Sequence, residues 1–284
     1  MKARFLILIC VGCLSLGRWM SASSDVITPR WGHTVTELAD GILLIAGGEN
    51  ESGLVAAIEI LDLVSPPTVG TDTVGTLSSP RRRHTAVRLN DGRVLLAGGE
   101  GSSGVLDSAE LIDPTTREVS QISLGAPRAD HTATLLPNGS VLLAGGHDGA
   151  NSLASLQIFD PATNAVTDGA ALAESRQQHT ATLLDDGRVL LIGGRNELGA
   201  LATTEYWNQA TGAVTAGPVL GGARFGHTAT ILRDQVAVVG GSDENAPLVT
   251  VEVFFNEADV FLPAGPLAGP RAGHTAAVLP ITAI

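Results

Sequence analysis

Six times the chain places an arginine three residues ahead of a histidine: Arg30 and His33, Arg81 and His84, Arg128 and His131, Arg176 and His179, Arg224 and His227, Arg271 and His274. A ring of such pairs could clasp a carboxylate ligand or, through the imidazoles, a metal ion. Five of the six are followed by a glycine pair: Gly47 and Gly48, Gly98 and Gly99, Gly145 and Gly146, Gly193 and Gly194, Gly240 and Gly241. After each pair comes a short polar stretch, reading ENESGLV, EGSSGVL, HDGANSL, RNELGAL and SDENAPL. These stretches hold the one histidine outside the repeated position, His147, beside Asp148, together with Arg195, Glu197, Asp243 and Glu244.

A group that recurs in every copy serves the copy, whereas a ligand site draws on departures from it. The repeated arginine is therefore expected to pair with a repeated glutamate, which limits the cost of burying either charge. The histidine is expected to bond a neighbouring backbone group. The glycine pairs end one strand and lead to another, without the helix that a phosphate loop uses. They fit close backbone approach or a positive φ. The candidate ligand-binding residues are the departures: His147, Asp148, Arg195 and Glu197 foremost, then Asp243 and Glu244. His147 and Asp148 are adjacent and point to opposite sides of a strand, so they make no metal signature. No catalytic residue, metal or cofactor is assigned.

The elements that position these groups follow from the spacing. The six histidines are 51, 47, 48, 48 and 47 residues apart, a period of propeller blades or a similar array. Within a copy such as HTATLLPNGSVLLAGG, a threonine-rich aliphatic run and a second aliphatic run flank an Asn-Gly or Asp-Gly turn, a strong hairpin signal. Eleven residues after each second glycine stands Glu59, Glu110, Gln157, Glu205 or Glu252, inside a third run. Turns such as DPTTREV and NQATGAV lead to a weaker fourth. Each repeat reads as a four-stranded antiparallel meander. In such a meander the arginine corners and the post-glycine loops share one face, where loops on a rigid scaffold carry binding residues.

The chain has 284 residues, 34 of them glycine, and 29 acidic against 17 basic residues. Its formal charge of -12 argues against a nucleic-acid partner, since phosphate binding needs a cationic surface. At the N-terminus MKAR followed by FLILICVGCLSLG and the small residues Ser21, Ala22 and Ser23 reads as an export signal. The apolar run is short for a membrane span. Cleavage after Ser23 would release residues 24–284 as a secreted, periplasmic or surface domain. Cleavage before Cys13, where CVGC resembles a lipobox, would leave a lipid anchor on Cys13. Cys10 and Cys13 are the only cysteines, so from residue 24 onward there is no disulfide, thiol nucleophile or thiolate metal ligand.

The Gly-Gly strand end, the acidic residue in the third strand and the Arg-x-x-His corner resemble the kelch repeat. The wording HTATLLPNGSVLLAGG is similar to bacterial exported kelch proteins and to the propeller domain of galactose oxidase. The resemblance implies an all-β propeller over about residues 24–279. The tryptophan that the family places in the fourth strand would fall at Thr68, Val119, Val166, Val214 and Phe261, so smaller side chains are expected between blades. Five complete repeats and a sixth ending in LPITAI imply a six-bladed ring completed partly by the N-terminal SSDVIT. A five-bladed ring with a spare strand and a truncated product stay open beside it.

The copper-radical chemistry of galactose oxidase needs a tyrosine joined to cysteine and a second tyrosine, and Tyr206 is the only tyrosine. Neither a sialidase Asp-box nor a G-x-S-x-G elbow is present. The expectation is a non-catalytic binding or interaction module for a protein or a glycan. The alternative is a sugar-modifying enzyme resembling the sialic-acid mutarotases, with Arg for a substrate carboxylate and Glu or His as acid and base.

Overall fold

The computed structural model describes residues 28–39, 41–63 and 70–278. The expected export signal, Cys13, Thr68 and nearly all of SSDVIT lie outside them, as do residues 279–284. No helix among the described residues is long and apolar enough to cross a membrane.

Each of the first five repeats folds as expected into one antiparallel sheet with strands in chain order. The first comprises Thr34–Ala39, Ile42–Ala46, Ala57–Asp62 and Gly70–Thr76. The second comprises Thr85–Arg88, Val94–Ala97, Ser108–Ile112 and Val119–Ser123. The third is built from Thr132–Leu135, Val141–Ala144, Leu156–Asp160 and Ala165–Asp168, and the fourth from Thr180–Leu183, Arg188–Ile192, Thr204–Asn208 and Val214–Ala216. The fifth uses Thr228–Leu232, Gln235–Val239, Val251–Phe255 and Val260–Ala264. First strands of consecutive repeats pack against one another, so they lie innermost and the sheets are blades around an axis.

Alternate side chains of a strand face opposite sides, and blades two, three and four bury both. Leu96 and Ile112 of blade two join Leu44 and Ile58 of blade one, while Leu95 and Leu111 face Leu143 and Phe159 of blade three. Leu142 and Leu156 then meet Leu191 and Trp207, and Leu190 and Tyr206 meet Val238 and Phe254. The core is thus a series of four apolar seams between blades. Val119, Val166, Val214 and Phe261 pack into these seams, in the position where kelch repeats carry tryptophan.

The sixth copy contributes its corner. Arg271 accepts a bond from Gly241 N at 2.9 Å, and its own N–H bonds Leu248 O at 3.1 Å. Thr275–Val278 belong to no strand among the described residues.

Candidate functional site

The repeated groups do structural work in every blade. Arg81, Arg128 and Arg176 are fully buried and Arg224 nearly so. Arg81 Nη1 donates to the carbonyls of Gly98 and Ser108, both at 2.8 Å, and Nη2 pairs with Glu110 at 2.9 Å. The same ion pair joins Arg30 to Glu59, Arg176 to Glu205 and Arg224 to Glu252. The carboxylate also accepts backbone N–H groups from the approach to the corner, Ser78 and Ser79 in the case of Glu110. Blade three departs: Gln157 stands in the glutamate position, and Arg128 finds Gly145 O and Ser155 Oγ instead.

The histidines correct one expectation. Their partner is the hydroxyl of the threonine that follows the histidine of the preceding blade. Thr34 Oγ1 is 2.9 Å from His84 Nε2, Thr132 is 3.0 Å from His179 and Thr180 is 2.9 Å from His227.

Those pairs make the closest approaches in the fold. Gly145 and Gly146 have φ of 59° and 94°, and Gly146 N donates to Arg176 O of the next corner at 2.9 Å. A Cβ on Gly145 would lie 2.4 Å from that oxygen. Both physical reasons for glycine therefore hold together here.

The residue after each glycine pair bridges the first variable residue of the same blade's corner, as Trp31 with Glu49, Arg82 with Glu100, Ala129 with His147 and Gln177 with Arg195. In blades one, two and four the loop closes as a small hairpin. The second variable residue of the corner is left-handed in all six copies: Gly32, Arg83, Asp130, Gln178, Gly226 and Gly273, with φ between 51° and 65°. From Asp130 onward each donates its N–H to the carbonyl of its counterpart in the preceding blade, at 2.8–3.2 Å. Three copies thus place Arg, Asp and Gln where the backbone favours glycine, at a conformational cost.

These three side chains meet. Arg83 Nη1 and Gln178 Nε2 both donate to Asp130 Oδ2, at 3.1 and 3.0 Å. Arg83 Nη1 is also 3.7 Å from Glu100 Oε1, and His147 Nε2 lies 3.8 Å from both Glu100 and Asp130. Arg82 extends the chain, bonding Glu100 at 3.0 Å and Glu49 at 2.6 Å, and Glu49 accepts the indole N–H of Trp31 at 2.9 Å. The bond from Arg82 holds the Glu49 carboxyl below the usual range. A continuous polar network so runs over one face of blades one to four. Beside it an open groove of about 510 Å³ lies between the first two hairpins, lined by Leu54, Pro80, Arg82 and Ser102 among others.

Of the six residues expected from sequence, only His147 joins this network. Asp148 accepts the N–H groups of Ala150 and Asn151, and Asp243 those of Asn245 and Ala246. Both carboxyls are held low by these bonds, so they serve their own turns. Glu197 accepts Ser152 N and ties two loops together. Arg195 lies over the Phe225 ring at 4.8 Å and pairs with Glu244 at 3.2 Å, forming a second, separate cluster. Arg83, Asp130 and Gln178 lie inside the repeated corner, where the alternation of glycine with polar residues before the histidine is visible in the sequence.

The network contains planar donors and acceptors, with Arg82 and Arg83 bridging the acids, and offers hydrogen bonds to a ligand's polar groups. No group of three or more His, Cys, Asp or Glu suited to a metal ion exists among the described residues.

Four-stranded blades joined by Arg-x-x-His corners define a kelch-type β-propeller. A family profile for the KLHDC2/KLHL20/DRC7 Kelch-repeats domain matches residues 14–194, and the chain belongs to that kelch-repeat family. Adagio protein 3 of Arabidopsis thaliana is 35% identical over 89 residues, and Adagio-like protein 3 of Oryza sativa subsp. japonica is 32% identical over 90. Each match covers 31% of this chain and 14% of the relative. The solved structure titled "Structure of YjhT" superposes with a TM-score of 0.68 at 15% identity, over 88% of this chain and 87% of that one. At that identity the likeness concerns the fold.

Proposed function

We propose that this kelch propeller is a non-catalytic binding module, exported from the cell, whose ligand face is the polar network of blades two to four. The observation that carries the reading is the gathering of Arg83, Asp130 and Gln178, all in left-handed backbone, beside Glu100 and His147. The ligand is a protein or a glycan that takes hydrogen bonds from the exposed edges of these planar groups. Asp148 and Asp243 drop out of the ligand set, because their turns already use them.

The test is thermal unfolding of residues 24–284 against a panel of neutral sugars, sialic acids and divalent metals. A ligand of the native state raises the melting temperature by mass action. A shift with one sugar that disappears in the Arg83→Ala/Gln178→Ala variant supports a glycan ligand at this face. A shift that survives that variant overturns the placement. Turnover of a sugar dependent on Arg83 and on His147 or Glu100 would replace the binding module with the sugar-modifying enzyme.

A further inference from the structure

Directly after the glycine pair, blades one, two, four and five carry Glu49, Glu100, Arg195 and Ser242, and blade three alone carries a histidine, His147. Its backbone is fixed, because its N–H and carbonyl exchange bonds with Ala129 at 2.9 and 3.0 Å. The ring is the movable part. Nδ1 accepts the N–H of Gly149 at 3.2 Å, so the neutral ring carries its proton on Nε2. That nitrogen lies 3.8 Å from both Glu100 Oε1 and Asp130 Oδ2, within reach of their charge and too far for a hydrogen bond. The side chain is 14% exposed, so solvent protons reach it.

The same two oxygens are shared by a single guanidinium nitrogen, Arg83 Nη1, at 3.7 Å from Glu100 Oε1 and 3.1 Å from Asp130 Oδ2. Arg82 serves Glu100 through its other oxygen but divides its charge with Glu49. Gln178 brings Asp130 a hydrogen bond without charge. From its own blade the ring has the buried His131 and the neighbouring Asp148, whose carboxylate is turned onto the N–H groups of Ala150 and Asn151. Across the loop Glu197 accepts Ser152 N. Glu49, Glu100 and Asp130 are thus set against Arg82 and Arg83, an excess of one negative charge that a protonated His147 cancels.

We infer that His147 is a pH-operated latch, which at neutral pH holds the loop of residues 148–151 and in acid lets it go and turns to the network instead. A proton from solvent adds at Nδ1, since Nε2 already holds one. The imidazolium then points a donor at the Gly149 N–H, and that bond is lost. Its charge draws the Nε2–H onto Glu100 and Asp130, where it competes with Arg83 for the same oxygens. Gly149 has φ of 100°, and an added Cβ would lie 3.3 Å from the Val105 side chain. The released segment is therefore the one that packs across to the hairpin of blade two. Acid frees this loop and loosens Arg83 over the range in which imidazoles change charge, about pH 5 to 8. The latch stands on this geometry, and only its bearing on a ligand rests on the binding face proposed above.

The test is an NMR titration of the isotope-labelled full chain between about pH 8 and about pH 5. At the alkaline end the ring nitrogens of His147 should show the proton on Nε2. The Gly149 amide resonance should move with the same midpoint as the ring. Its exchange with solvent, corrected for the intrinsic effect of pH, should be at least about tenfold faster in the acid form. Glu100→Gln should lower the midpoint by at least about half a pH unit, because one attracting carboxylate is gone. In His147→Phe the Gly149 step should vanish. A neutral ring protonated on Nδ1, a Gly149 amide that ignores the titration of the ring, or a midpoint indifferent to Glu100→Gln would each overturn the latch. The titration needs no ligand, so a failure of the binding face in the melting screen and a failure of the latch are separate results.

Discussion

Thr85 Oγ1 of blade two lies 2.8 Å from His131 Nε2 of blade three, and this bond between neighbouring blades is repeated down the array. Of the histidines that form it, His84, His131, His179 and His227 are buried, which favours the neutral ring. Burial first, and then the adjacent corner arginine, lower His84 and His227 to about 3 and hold His131 and His179 well below the ordinary imidazole value. An unfolded chain takes up these protons near pH 6.5 while the native one does not. The stability they protect is therefore complete above about pH 6.5 and is lost as the pH falls toward 3, by up to about 1.4 kcal/mol per histidine per pH unit. Melting temperatures measured from pH 7 to 5, above the range of most carboxylates, should fall steadily. A flat profile would mean that these rings are protonated in the native state.

Thr85→Val removes one such bond without changing the shape of the side chain. His131, whose Nδ1 is already buried without a partner, is then left with a second unpaired nitrogen, at a cost of about 1–3 kcal/mol. Urea unfolding should report that loss, and the His131→Phe/Thr85→Val double variant should recover part of it.

The five complete corners form a natural comparison of charge pairing. In blade four Arg176 has Glu205 at 2.8 Å, while in blade three Arg128 has Gln157, and burial lowers its pKa to about 10. Glu205→Gln should lower stability by about 2–4 kcal/mol, because it strands a buried guanidinium. The reverse change, Gln157→Glu, should raise stability by up to about 1 kcal/mol. Gln157 now donates to Asp168 at 3.2 Å, and the two carboxylates would repel, which keeps the gain small. Paired melts of the two variants decide whether the charge or the hydrogen bonds hold the corner.

Much of the fold was legible because each physical requirement is written five times. The hairpin turns, the glycine pairs and the arginine-glutamate spacing are local patterns with fixed offsets, and repetition separated them from chance. The threonine that meets His131 stands 46 residues away in another blade, and nothing in the local pattern names it. The proposed ligand face was half legible. Polar residues on post-glycine loops drew attention to Asp148 and Asp243, yet an aspartate two or three residues ahead of free N–H groups caps its own turn. Arg83, Asp130 and Gln178 were hidden because they sit inside the repeated corner, at a position whose backbone angle only the structure reveals.

Close approach at a glycine pair can be separated from the backbone angle alone. Gly145 has φ of 59° and Arg176 O would lie 2.4 Å from an added Cβ, while Gly187 has φ of 83° and nothing within 4 Å. Gly187→Ala should cost about 1 kcal/mol for the left-handed backbone. Gly145→Ala must also push apart the glycine pair and the corner hydrogen-bonded to it, and should cost more than about 3 kcal/mol. Circular dichroism melts of the two variants compare them directly; equal losses would show that the contact relaxes.

The left-handed corner residues allow stability and function to be set against each other. Gln178 has φ of 53°, and its counterparts Gly32, Gly226 and Gly273 have 65°, 60° and 61°. Its backbone N–H donates to Asp130 O and its carbonyl accepts Gly226 N, both at 3.0 Å, and any residue would keep these bonds. Gln178→Gly removes one side-chain bond to Asp130 and relieves the backbone cost of about 1–2 kcal/mol, against a larger entropy loss for glycine on folding. The net expectation is a gain of up to about 1 kcal/mol. Asp130→Gly should behave oppositely, since Asp tolerates this conformation and its carboxylate is the shared acceptor of Arg83 and Gln178. If Gln178→Gly melts higher than the parent chain, stability has been spent to hold a polar side chain at the ligand face. If both variants lose stability, the three residues hold the blades together and the face must be sought elsewhere.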